Sequence, residues 1–250
     1  MLSEESLRRA LEAAGVTAPV RWDDVTTSTN TTALVMAARG VPAWTLVAAG
    51  HQTGGRGRHG RVWIDRPGRA LLCSVVLRPD WPAAAIGLAS LAAGVAMAEA
   101  ASAVSGASVG CKWPNDLLVD GRKVGGILGE SELLGDRVTH VVVGAGVNLA
   151  PPDDRGDATG LGEDVDAEAL LAGYVRRLRS LVEGPVAGIT EAWRAVAVTT
   201  GRRVEAVSEG GRRVRGTAAD IDDAGALLVD TSDGRVRVPF GEIRHLDEAR

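Results

Sequence analysis

Cysteine is scarce in this chain. Its 250 residues hold only Cys73 and Cys111, and no C-x-x-C pair occurs. That excludes a disulfide framework and a cysteine-built zinc site, and it points to a reducing, cytoplasmic compartment. There is no Gly-Lys-Ser/Thr, so the phosphate loop of P-loop proteins is missing. An excess of positive charge is missing too. The 28 basic and 32 acidic side chains give a net charge of −4, which argues against a general nucleic-acid binder. The first residues, MLSEESLRRALEAAG, contain no apolar signal core. Residues 81–98 carry no charge, but they are mostly Ala, Gly and Ser, with Ile86, Leu88, Leu91, Val95 and Met97 as the strong apolars. Alanine drives membrane insertion weakly, and Leu88, Leu91 and Val95 share one helical face. The run therefore predicts a buried, Ala-rich helix against a sheet.

What is present reads as α+β. Helical spacing covers 3–14, with Ser3 as cap and Gly15 as stop, then 30–39, 166–183 and 188–197. Strand patterns cover 45–50, 70–79 and 140–149, and Asp120-Gly121 predicts a type I′ hairpin turn within 117–128. Hairpins and helices do not alternate strictly, which favours a mixed β-sheet covered by helices over a doubly wound parallel fold. From about Gly201 the texture changes to short strands, RRVEAV, RVRGTAADI, ALLVDT, RVRVP and EIRHL, with SEGG, DDAG and SDG as turns. These predict a small barrel, giving a division into 1–200 and 201–250.

The stretch GGRGRHGRVW, residues 54–63, contains G-x-G-x-x-G at Gly55, Gly57 and Gly60. A dinucleotide loop would run into a helix, with an acid about 20 residues on. Here RVWIDRPG and then the β run ALLCSVVL follow, and no such acid is in place. A single-stranded nucleic-acid segment would interleave aromatics, yet only Trp63 is present. Between His51 and Ala70 stand Arg56, Arg58, Arg61, Arg66 and Arg69 against one acid, Asp65. Their mutual repulsion and the glycines predict a loop that is mobile when empty and ordered by an anion. A solvated basic loop is the plain alternative. A clamp for carboxylate or phosphate is favoured because a second cluster needs explaining.

That cluster is KWPNDLLVDGRKVGGIL, from Lys112 to Leu128. A two-residue turn at Asp120-Gly121 pairs Leu118 with Lys123 and Asp116 with Gly125. Asp116 and Lys123 then share a sheet face beside the bare backbone of Gly125 and Gly126, a plausible reaction site. A surface hairpin with a salt bridge is the alternative.

The motifs TSTN (27–30), QTGGRGRHGRVW (52–63), KWPNDLLVDGRKVGGIL (112–128) and GAGVNL (144–149), in this order and spacing, resemble biotin protein ligases. The resemblance is strong over about 22–150 and looser beyond, where that family carries a small SH3-like β-barrel; its catalytic fold is of the class II aminoacyl-tRNA synthetase type. His59 stands where many members have arginine. The roughly 21 residues before Trp22 are too few for the winged helix-turn-helix of repressor-type members, so a ligase that does not bind DNA is expected. The resemblance implies biotin and ATP as substrates, Mg²⁺, and a biotin carboxyl carrier domain of a carboxylase as the protein partner, with neither DNA nor membrane.

The resemblance also assigns residues. Ser28, Thr29, Asn30 and Gln52 line the biotin pocket, with Gly126, Gly144 and Gly146 leaving room. Arg56, Gly57 and Arg58 belong to a loop closing over biotin and adenylate. Lys123 and Arg58 are the catalytic cations. Arg58, Arg61, Trp63, Lys112, Asn115, Asp116 and Asn148 face ATP, and Asp116 is the candidate Mg²⁺ ligand. The nearest alternative is a lipoate or octanoyl protein ligase of the same fold; another, of a different class, is a non-catalytic nucleic-acid-binding module.

Overall fold

A computed structural model describes residues 2–134, 137–152, 156–208, 211–239 and 241–246. Helix α1 (Glu4–Ala13) starts at a capping box between Ser3 and Ser6, which satisfies N–H groups that the first turn leaves unpaired. Strand β1 (Val20–Asp23) leads into α2 (Thr29–Ala38), capped by Ser28. Next come β2 (Leu46–Ala49), the two-residue strands β3 (Gly55–Arg56) and β4 (Val62–Trp63), and β5 (Ala70–Leu77). Helix α3 (Leu88–Ser105) precedes β6 (Gly110–Lys112), β7 (Asp116–Val119), β8 (Arg122–Leu134) and β9 (Arg137–Asn148). Helices α4 (Ala167–Val182) and α5 (Ala187–Val196) complete this part.

The strands form a seven-stranded mixed sheet, ordered β1-β2-β5-β9-β8-β7-β6. Only β1 and β2 run parallel. Side chains alternate across this sheet, and that alternation makes the site. Leu71, Cys73, Val75 and Leu77 of β5, with Val141, Val143, Ala145 and Val147 of β9, join the main core under α1, α3 and α4. Val76 and Val142 face α2 instead. The same second face carries Ser74, Gly144 and Gly146. A small-residue patch is thus left beside the start of α2.

Helix α3 is the Ala-rich helix anticipated from 81–98, displaced toward the C-terminus and ended by Gly106 in the left-handed region. The segment Ala83–Ser105 is long and apolar enough to cross a membrane, but 67% of its apolar 18-residue stretch is buried inside the protein. Small side chains let it lie close: Ala89, Ala92, Ala93, Ala96 and Ala98 are fully buried. Burial also pushes the Cys73 and Cys111 thiols up to about 12, Glu99 adding to the effect at Cys111, so both behave as inert apolar groups.

The C-terminal strands fall where the short motifs predict: β10 (Arg203–Ser208), β11 (Arg213–Ile221), β12 (Leu227–Thr231), β13 (Gly234–Val238) and β14 (Gly241–His245). They make one antiparallel sheet, ordered β13-β12-β11-β10-β14. The SEGG turn includes Glu209 and Gly210, which lie outside the described residues. In the DDAG turn, Asp222 accepts from the N–H groups of Ala224 and Ala226, and Gly225 closes the turn at φ +81. The junction is stitched to the edge of the large sheet. Val198 N donates to Cys111 O at 3.0 Å, and Trp113 N donates to Thr199 Oγ1 at 2.9 Å. Trp113 Nε1 reaches Gly225 O at 3.0 Å, and a single hydrophobic core spans both parts.

Candidate active site

A cleft of about 480 Å³ opens between the second face of the large sheet and the C-terminal sheet. Its floor begins at the N-terminus of α2. Ser28, Thr29 and Asn30 are buried there, and Gln52 Oε1 accepts from Thr29 N at 2.8 Å. Ser74 donates to Asn30 Oδ1 at 2.6 Å. Gly144 and Gly146 complete the floor. A Cβ on Gly144 would overlap the Asn30 carboxamide, and one on Gly146 would stand 2.8 Å from the Trp63 ring. The floor therefore exists only where the side chains are missing.

Strands β3 and β4 pair as a short hairpin over the cleft, joined by a turn at Arg58–Gly60. His59 sits in the left-handed region at φ +52, which histidine enters more readily than most residues. No helix follows, in keeping with the sequence. The predicted repulsion among the arginines is offset by the protein's own groups. Arg56 pairs with Glu130 at 2.6 Å and Arg61 with Glu242 at 2.5 Å, while Arg58 donates to Gly241 O at 3.1 Å. At the hairpin's base, the buried Asp65 carboxylate meets His51 Nδ1 at 2.8 Å and Gln52 N at 3.3 Å.

The far wall holds Lys112, Asn115, Asp116 and Lys123. Lys123 Nζ contacts the Asp116 carboxylate directly, as their shared face predicts. The register is different, however. Asp116 pairs with Gly126 and Leu117 with Gly125, because a bulge at Val124 shifts the ladder by one residue. The cause lies on the other edge of β8. Lys123 N donates to Asp157 O at 2.9 Å and Thr159 N to Lys123 O at 2.8 Å, so both backbone groups of Lys123 are held by one segment. Asn115 exchanges hydrogen bonds with Ile127, its Nδ2 donating to the carbonyl at 2.9 Å and its carbonyl accepting from Ile127 N at 2.9 Å.

Of the residues singled out in the sequence, Ser28, Thr29, Asn30, Gln52, Arg56, Gly57, Arg58, Arg61, Trp63, Lys112, Asn115, Asp116, Lys123, Gly126, Gly144 and Gly146 all line this cleft. Asn148 does not. It is buried, and its Nδ2 donates to Thr159 O at 3.1 Å, bracing the segment that pins Lys123. Trp63 lies across Gly146, and its buried indole N–H has no acceptor among the described residues.

Several lining residues were not foreseen. Glu205, Val207, Glu242, Ile243 and Arg244 bring the C-terminal sheet into the cleft wall. Short, alternating strands gave no sign of which face would meet the other part. Glu205 is held below the usual carboxylate range by its hydrogen bond to Arg215, with Arg213 and Arg244 adding charge, so it meets the cleft as an ionised carboxylate already paired with arginines. Ser74 did carry a signal: it is the one polar residue in ALLCSVVL, and polar atoms in buried strands seek partners.

The sequence profile of the Biotin/lipoate A/B protein ligase family matches residues 22–148, and that of the Biotin protein ligase C terminal domain matches 199–246. A biotin–[acetyl-CoA-carboxylase] ligase of Mycobacterium tuberculosis is 37% identical, the match covering 98% of this chain and 96% of the relative. The bifunctional ligase/repressor BirA of Bacillus subtilis is 34% identical over 97% of this chain and 78% of its own length. Among solved structures, biotin protein ligase from Aquifex aeolicus in complex with biotin and ATP superposes with a TM-score of 0.75 at 25% identity, covering 91% of this chain and 99% of that one. With these matches spanning both parts that wall the cleft, the chain belongs to the biotin protein ligase family.

Proposed function

We propose that the chain joins biotin to one lysine of a biotin carboxyl carrier domain, in two steps at this cleft. A biotin carboxylate oxygen attacks the α-phosphorus of ATP, forming biotinyl-5′-adenylate and expelling pyrophosphate. The carrier lysine amine then attacks the acyl carbon, forming the amide and expelling AMP. Carboxylate and triphosphate repel one another, so the protein's task is to supply positive charge and hold them in line. The observation that carries this reading is Lys123, its backbone N–H and C=O both bonded to the 157–159 segment, facing the arginine hairpin across a floor of bare glycines.

In this reading Ser28, Thr29, Asn30 and Gln52 take the ureido ring, whose N–H and C=O groups match hydroxyls and a carboxamide. Lys123 and Arg58 neutralise charge moving between carboxylate and α-phosphate. Arg61, Lys112 and Asn115 hold phosphate oxygens, and Trp63 offers a ring face and a free N–H to the ligand. Asn148 acts at one remove, through Thr159 and Lys123.

Mg²⁺ fits as an ion carried on the triphosphate. It binds through one or two carboxylates plus phosphate oxygens, and Asp116 is a half-exposed carboxylate beside Lys123. No group of three acidic, His or Cys side chains suited to a metal occurs among the described residues, so phosphate would supply most of the shell. Bound there, the ion would neutralise phosphate charge.

The division at 200/201 belongs to the same proposal, with the C-terminal sheet as a wall of the nucleotide side. The test is direct. Incubated with biotin, ATP, Mg²⁺ and a carrier domain, the chain should place biotin on a single lysine. Binding of lipoate in preference to biotin, measured by titration with ATP present, would overturn the substrate assignment.

A further inference from the structure

A hydrogen-bonded chain runs beneath the cleft floor and joins both ends of the hairpin's first arm. It starts at Gln52, whose side-chain oxygen accepts from Thr29 N at 2.8 Å and lies 3.2 Å from Thr29 Oγ1. Ser74 Oγ lies 2.8 Å from Thr29 Oγ1 and 2.6 Å from Asn30 Oδ1, its one proton serving one acceptor at a time. Asn30 Nδ2 donates to Glu130 Oε2 at 2.9 Å and to Leu128 O at 3.1 Å. The other oxygen of Glu130 accepts from Arg56 Nη2 at 2.6 Å.

Glu130 is the member that substrate binding does not explain. A carboxylate beside a site for two anions opposes them. It is nevertheless held there, its side chain 22% exposed, between the floor and an arginine of the hairpin. Its position on β8 opposite Val142 points it to the cleft face of the sheet, the face of Ser74 and Gly144. Ser74 gives the Asn30 carboxamide a donor on one end and Glu130 gives it an acceptor on the other, so only one of its two flip states is satisfied.

We propose that Glu130 is a positioning residue that couples the lid to the pocket floor. One oxygen sets the Asn30 carboxamide for biotin; the other holds Arg56 and, with it, strand β3 over the cleft. The coupling rests on the ligase reading, because the ligand it serves is biotin.

The test compares Glu130→Ala and Glu130→Gln with the parent chain. Biotin KM, ATP KM and tryptic cleavage at the lid arginines are measured with and without biotin. Loss of a charge-assisted bond and of an orienting acceptor should raise the alanine variant's biotin KM about tenfold, with ATP KM within about twofold. Lid cleavage should stay fast even with biotin bound. Glutamine keeps an acceptor for Asn30 but loses the negative charge that Arg56 meets. It should return biotin KM to within about threefold of the parent while leaving lid cleavage fast. Equal rises in both KM values, or parent-like biotin KM and lid protection in both variants, would overturn the coupling. If the alanine variant does not fold, lid cleavage in the glutamine variant decides alone. Absence of pyrophosphate release by the parent itself would defeat the ligase reading instead, a separate outcome.

Discussion

Across the cleft, the floor and the lid are held by different forces. Strands β5, β8 and β9 form a continuous backbone ladder, with residues such as Leu71, Val75, Val143 and Ile127 buried beneath it. The lid is two paired residues on each arm, and its tip is fixed by arginine side chains reaching Glu130, Glu242 and Gly241. A half-exposed ion pair contributes about 0–1 kcal/mol and weakens with salt. The floor's shape is therefore set on folding, whereas the lid's position is set by charges that an anionic ligand can take over.

The sharpest break in that comparison is Lys123→Ala. In the proposed reaction its ammonium acts where charge moves, so pyrophosphate release should fall about 1,000-fold with the fold intact. Near-normal turnover would sink the assignment. Next is the floor itself. Gly144→Ala drives a methyl into the Asn30 carboxamide, and forced overpacking of this kind should weaken biotin binding about 30-fold by calorimetry. Unchanged affinity would mean that the floor yields as the lid does. Arg61→Ala addresses the lid. It removes one exposed pair with Glu242, so ATP KM should rise about threefold while stability moves by less than about 1 kcal/mol. A large loss of stability would show the lid to be structural.

The smallest effect concerns pH. The Glu205 carboxyl is lowered in the folded state, Arg215 being the main cause. Its contribution is present above the unfolded glutamate value of about 4.3 and is lost as pH falls through the folded value. The difference in Tm between the parent and Glu205→Gln should then be largest near neutrality and shrink toward acid. A difference independent of pH would remove Glu205 from the account.

Local chemistry was legible in the sequence. The capping at Ser3, the Asp120-Gly121 turn, the Lys123–Asp116 contact and the β structure after the glycine motif all depend on near neighbours. Non-local pairing was not. The bulge at Val124 exists because Asp157 and Thr159 take the free edge at Lys123, and no residue within the hairpin encodes that. Strand β8 runs to Leu134, well past the expected end at Leu128, because its second half pairs with β9. The place of Asn148 was not legible either: GAGVNL sets it near the glycines in sequence, whereas its amide turns to Thr159. Glu130 passed unnoticed because an acid on a β-strand reads as a solvent-facing residue until the strand's neighbours are known.

The stitching of residues 197–199 to the edge strand β6 bears on how the protein could be taken apart. A connection with one N–H bonded to Cys111 and one hydroxyl bonded to Trp113 behaves as a splice, not as a tether. The C-terminal sheet then serves the cleft as masonry serves a window, and a spacer inserted at this point would part the shared core and take away one wall of the cleft.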